Sequence, residues 1–218
     1  MNFKIIALTI SILLISMVTK AQTSFGILGG VNFQNINGTD SDGDKLNNDL
    51  VVGFHAGINV IIPVAPDFYF NPGLLFSVKG AENENNGITS TYKINYLEMP
   101  LNLTYKAKLG NGYVLLGFGP YVAYGIGGTA KYQGGNVSYE SDIEFQKTIE
   151  SGDGLDMYLK PFDAGANIFF GYELEAGLFF QLNSQLGLLN IHPEDNRINN
   201  DETVLRNTGF GISVGFRF

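Results

Sequence analysis

The sequence predicts an all-β chain: an eight-stranded antiparallel transmembrane β-barrel with long external loops and short periplasmic turns. Three observations predict it. Apolar and small or polar residues alternate with a period of two in eight segments. The links between those segments alternate in length. After the first 21 residues no run of about 18 apolar residues occurs, although 44 % of the chain is hydrophobic and only 16 % charged. An average soluble domain carries about 25 % charged residues.

Residues 1–21 read as a cleaved secretory signal. Lys4 starts the segment, an apolar run follows over residues 5–18, and Ala21 offers a small residue for cleavage. That run is too short for a spanning helix, which needs roughly 20 residues. Residues 22–218 are then one barrel domain. With Lys4 and Lys20 removed, the net charge of −8 becomes −10, which argues against nucleic acid as a partner. The chain has no cysteine, so no disulfide, thiolate metal site or lipidated cysteine is available. No cofactor is expected.

The closing segment, 208–218, shows the pattern most clearly. Thr208, Phe210, Ile212, Val214, Phe216 and Phe218 share one face, and Gly209, Gly211, Ser213, Gly215 and Arg217 the other. The remaining strands are predicted at 24–34, 51–62, 68–79, 92–105, 113–126, 162–172 and 178–188, each with its bulky residues on one side. Residues 63–67 (PVAPD), 106–112 (KAKLGNG) and 173–177 (ELEAG) read as short turns. Residues 35–50, 80–91, 127–161 and 189–207 read as long polar loops, and a hairpin about GGN near 129–139 would carry the wall into solvent. Both chain ends then lie on the periplasmic side.

One sequence does not by itself tell inside from outside, and a lipocalin-like barrel or a β-sandwich would also alternate. The face compositions decide. The polar sides are rich in Gly, Asn, Ser and Gln, too small and polar for an apolar ligand cup. They also carry too little Lys and Glu for the solvent face of a sandwich.

Four charges fall on the predicted lumen faces: Lys79, Glu98, Asp163 and Arg217. Buried charges must be paired, so these residues are expected to form a salt-bridge and hydrogen-bond network that plugs the barrel. An ion path is the alternative, but eight strands enclose a space that side chains just fill. His55 is expected to face the lumen near the outer rim as a hydrogen-bonding residue, and His192 to lie in the last external loop. A lipid-acting barrel enzyme would need a His, a Ser and an acidic partner, and the sequence brings no such set together. Asp40, Asp42 and Asp44 in DSDGDK suggest a calcium loop, but the Gly and Glu that an EF-hand requires are missing, so a solvated acidic loop is expected.

Several pieces together resemble one family. They are KAQ at 20–22, FGILGGVN at 25–32, GFHAGI at 53–58, NYLEMPLNLTYK at 95–106, FDAGANIFFGYEL at 162–174, LNSQLGLLNI at 182–191 and the terminal GISVGFRF. In this set the chain looks like the outer-membrane β-barrel domain proteins, also called porin-family or PorT-like, of Bacteroidetes-type bacteria. The resemblance implies residence in outer-membrane lipid and recognition of Phe218 by the barrel-insertion machinery. It leaves the role open among a structural or surface-interaction protein with a protein partner at its external loops, a narrow channel, and a component of a protein secretion assembly.

Overall fold

The computed structural model describes residues 23–154 and 156–218; the expected signal segment lies outside them. Twelve strands occur among the described residues: β1 (Ser24–Thr39), β2 (Val51–Ala65), β3 (Phe68–Asn85), β4 (Ile88–Leu109), β5 (Gly112–Gly134), β6 (Val137–Phe145), β7 (Thr148–Ile149), β8 (Met157–Leu159), β9 (Phe162–Leu174), β10 (Leu178–Gly187), β11 (Glu194–Asp195) and β12 (Val204–Arg217). Eight of them form the wall, in the order β1-β2-β3-β4-β5-β9-β10-β12. Every wall pairing is antiparallel, and β12 closes the ring on β1 from Gly26↔Arg217 to Thr39↔Val204. The sheet has no free edge along its wall.

The alternation sorts side chains as the small-inside reading requires. On β12, Phe210, Ile212 and Val214 are 50 %, 54 % and 46 % exposed, whereas Ser213 and Arg217 are 2 % and 7 % exposed. Phe54, Ile58, Phe118, Ile168, Phe170 and Leu182 continue the exposed apolar surface around the other strands. A contiguous apolar belt of this kind belongs in hydrocarbon.

Two predicted links are strand instead. Residues 80–91 are polar and read as an external loop, yet β3 and β4 run on to a tight turn at Asn86 and Gly87, whose φ values of 52° and 77° suit a hairpin with both central residues left-handed. Polar composition does not end a strand once it stands above the membrane with water on its outer face, and Ile88, Thr89 and Thr91 favour extended backbone. At the other end β4 continues through residues 106–109, leaving Gly110 (φ 61°) and Asn111 as the turn. β4 and β5 therefore span 22 and 23 residues, about twice what a tilted strand needs to cross the bilayer. β6 folds back on the top of β5 from Gly134↔Val137 to Thr129↔Asp142, so a three-stranded sheet stands beyond the outer mouth.

Inside, two apolar clusters bracket a polar middle. The outer one gathers Ile36, Tyr96, Tyr121 and Leu205 from the wall with Ile143, Leu159 and Ile191 from the excursions. The periplasmic one joins Leu115, Phe169 and Phe179, with Leu28 against them. Glycine makes room for these rings: a Cβ at Gly117 would run into the Phe169 ring, and one at Gly215 into the Phe179 ring and the Ile27 carbonyl oxygen. Gly215→Ala should therefore lower the stability of the folded barrel by about 1–3 kcal/mol. Gly152→Ala, with nothing within 4 Å of the new methyl, should leave it unchanged; urea unfolding midpoints in lipid vesicles would compare the two.

Candidate functional site: the filled lumen and its cap

Below the outer apolar cluster, three charged side chains meet. Lys79 Nζ on β3 lies 2.8 Å from Glu98 Oε2 on β4 and 3.4 Å from Asp163 Oδ2 on β9, and all three are at most 1 % exposed. Tyr121 donates its hydroxyl to Asp163 Oδ2 at 3.2 Å, Asn207 Nδ2 donates to the same oxygen at 3.0 Å, and Gln185 Nε2 donates to Glu98 Oε1 at 2.6 Å. The ammonium also stands 4.0 Å from the centre of the Tyr121 ring and 5.4 Å from that of Tyr96, within cation–π range.

Arg217 is not part of this group. It lies at the periplasmic end, where its Nε donates to Glu173 Oε2 at 2.9 Å, while Lys106 Nζ holds Glu173 Oε1 at 2.6 Å. The Phe179 ring lies under the guanidinium at 5.1 Å. Lys106 and Glu173 fall in segments that the sequence reading assigned to turns. Counting by twos from Glu98 through Asn102 and Thr104, and from Asp163 through Asn167 and Gly171, would have put both on the lumen face.

His55 stands deeper than the outer rim. Gly30 faces both His55 and Ser213 across its two ladders, and Ser213 lies between Ile212 and Val214 of the apolar belt. Because residue 30 has no side chain, His55 reaches across it: Nε2 lies 2.7 Å from Ser213 Oγ and Nδ1 2.7 Å from Asn32 Oδ1. Asn183 Nδ2 donates to the same Ser213 oxygen at 2.9 Å. Residues 158 positions apart in sequence thus form a Ser–His–Asn relay, which no sequence spacing signals.

The relay is buried within the wall. Ser213 and His55 are 2 % and 6 % exposed. They face a chamber of about 70 Å³ whose lining includes Asn59, Asn71, Glu98, Asn102 and Gln185. The backbone at His55 and Ser213 pairs in the barrel ladders.

The cap is ordered by its own polar contacts. Arg197 grips Asp195 through two nitrogens, at 2.9 and 2.8 Å, and donates to the Gly154 carbonyl oxygen at 2.8 Å. These hydrogen bonds hold the Asp195 carboxyl below the usual carboxylate range. β11 pairs with β7, and β8 with β6, tying the two largest excursions over the mouth. His192 Nε2 lies 2.8 Å from Asp201 Oδ2 within the last excursion. In the first loop Asp40 Oδ1 accepts the Asp42 and Asp44 amides, an Asx turn. Phe218 is 72 % exposed; its amide donates to the Phe25 carbonyl at 2.8 Å, and its ring meets Phe216 edge-on.

Removing one member of the buried trio leaves uncompensated charge. Lys79→Met should cost about 3–5 kcal/mol of barrel stability. The triple variant Lys79→Met, Glu98→Gln, Asp163→Asn should recover most of that loss in the same unfolding assay. A single variant as stable as wild type would show that the pairing contributes nothing.

The family model described as "Outer membrane protein beta-barrel domain" matches residues 20–192. No curated protein matches the chain. Among solved structures, Ail, the attachment invasion locus protein of Yersinia pestis, in complex with the heparin analogue sucrose octasulfate, is similar at 12 % identity, with 90 % of this chain and 99 % of that chain covered and a TM-score of 0.41. A second structure of Ail gives 11 % identity, 89 % and 98 % coverage and a TM-score of 0.40. With its closed wall, apolar exterior and matched domain, this chain belongs to the outer membrane protein beta-barrel domain family and resides in the outer membrane.

Proposed function

We propose that this protein is a closed, non-catalytic barrel that serves the cell surface through its external excursions, as a structural element or as a docking face for a protein partner. The observation that carries the reading is the double closure of the lumen. Ile143, Leu159 and Ile191 of the excursions are at most 4 % exposed within the outer cluster, and Leu115, Phe169 and Phe179 fill the periplasmic half. What remains free for contact is the sheet of β4, β5 and β6 with the linked excursions beside it. Across that sheet Tyr132 meets Tyr92 edge-on and stacks on Tyr139, at 6.1 and 6.2 Å between ring centres. Burial and the neighbouring Tyr92 push the Tyr132 hydroxyl up to about 12, so it stays protonated at neutral pH.

Reconstituted in planar bilayers, the protein should give no discrete current steps, and a serine-directed fluorophosphonate should leave Ser213 unlabelled. Reproducible steps would move the reading to a narrow channel, and labelling of Ser213 to a lipid-acting enzyme. The PorT-like role in a secretion assembly is the remaining alternative. Its mark would be loss of secreted proteins from cells lacking this chain while their other outer-membrane barrels remain intact.

Phe218 is proposed as the residue that the insertion machinery reads, since its ring projects beyond the last ladder pair. Phe218→Ser should reduce the folded protein recovered from cells several-fold while leaving unassisted refolding in detergent unchanged. Equal losses in both would make Phe218 a packing residue only.

A further inference from the structure

Above the outer mouth the extended sheet has two edges, and the chain treats them differently. The upper part of β3 is one edge, and the first loop covers it. Asp49 and Glu82 exchange two backbone hydrogen bonds at 2.7 and 3.1 Å, and Asn83 Nδ2 donates to the Asn47 carbonyl oxygen at 3.1 Å and to Asn48 Oδ1 at 3.2 Å. β6 is the other edge. It pairs with β5 from Val137 to Asp142 and with β8 only from Ile143 to Phe145, so among the described residues no strand pairs with its far side from Val137 to Asp142. The two-residue turn at Gly135 and Asn136 makes Gly134↔Val137 a hydrogen-bonded pair. Pairs of that type recur at every second residue, so Tyr139 and Ser141 bond to β5, and the N–H and C=O of Ser138 and Glu140 point away from the sheet. Ser138, Tyr139, Glu140 and Asp142 are all exposed.

The side chains of this edge select what it can accept. Glu140, Asp142 and Glu144 alternate along β6 on one face, all exposed, and among the described residues none of them forms a salt bridge. The lysines of that face, Lys131 and Lys93, stand on β5 and β4, inside the edge, so β6 itself carries only negative charge. A second β6 laid along the bare side would set carboxylates beside carboxylates in either direction, which disfavours another copy of this chain. On the opposite face Tyr139, 57 % exposed, leaves ring surface for a β-branched or aromatic side chain of an added strand. We propose that the open side of β6 takes up an extended segment of a partner protein as one further strand, with lysine or arginine at alternate positions beside Glu140 and Asp142. Main-chain hydrogen bonds to Ser138 and Glu140 supply affinity, and the carboxylates choose the sequence.

This rests on the surface-docking reading above and narrows it to one strand. The test titrates the barrel in lipid nanodiscs with a fluorescent peptide of about ten residues that alternates lysine with threonine, and reads binding by anisotropy. The expected result is saturable binding that Ser138→Pro weakens about tenfold, since proline there removes an outward N–H and no hydrogen bond to β5. Glu140→Gln with Asp142→Asn should weaken it several-fold. The same peptide with every backbone amide N-methylated keeps its charges, cannot donate to the edge, and should not bind. Thermal unfolding of both variants at the wild-type temperature shows that the barrel is retained. No binding of the lysine peptide, equal binding of its N-methylated form, or binding unchanged in Ser138→Pro would overturn the proposal. So would a dimer in nanodiscs that Ser138→Pro abolishes, because the occupant would then be a second copy. Each of these outcomes leaves the closed barrel in place, whereas current steps in the bilayer would remove that reading and leave the strand pairing standing.

Discussion

The structure depends on one constraint: in hydrocarbon, no backbone N–H or C=O can be left for water to satisfy. An open sheet of these strands would present two unpaired edges to lipid, each unmet group costing several kcal/mol. Closure of β12 on β1 over fourteen residue pairs removes both edges. The exposed faces of Phe210, Ile212 and Val214 are then harmless, because the exterior no longer has to attract anything. What drives folding in such a wall is chiefly the ladder and the filling of the interior, since lipid is as good a solvent for Leu and Phe as the protein is.

Closure with only eight strands fixes the diameter and so the problem of filling it. The interior answers with layers. At the periplasmic end, glycines at 117 and 215 give their space to the Phe169 and Phe179 rings. Above them amides and the His55 relay surround the chamber; higher still come the ion trio and then the apolar outer cluster. Water is kept from the charges at both ends, which strengthens their mutual attraction and raises the cost of leaving any of them unpaired.

Most of the wall was legible in the sequence because the two-residue period is a direct image of the pleat. Ser213 beside Ile212, or Asn59 beside Ile58, tells which way each side chain turns. The extensions were less legible. A polar stretch ends a strand inside a membrane, but residues 80–91 stand in water, where polarity and strand are compatible; the hairpin about GGN, which the turn residues do signal, forms between β5 and β6. In the lumen, parity identified Lys79, Glu98, Asp163 and Arg217 as inward-facing, yet it carries no information about height along the axis. Height depends on strand tilt and register, which is why Arg217 lies with Glu173 and Lys106 and not with the trio. The same limit kept Ser213 and Asn32 from being seen as partners of His55.

Height is also what the polar interior encodes. Every wall strand contributes at least one member: Asn32 from β1, His55 from β2, Lys79 from β3, Glu98 from β4, Tyr121 from β5, Asp163 from β9, Gln185 from β10, and Asn207 with Ser213 from β12. A slip of one residue at any seam would turn that strand's polar set to lipid, which the alternation alone forbids. A slip of two keeps the faces correct and is invisible to hydrophobicity, but it moves a donor roughly 7 Å from its acceptor. Buried ion pairs are poor sources of net stability, so the trio is better understood as a register lock: it penalises the misaligned barrels that an apolar lumen would tolerate, and it does so at the level where strands of such different length have to agree.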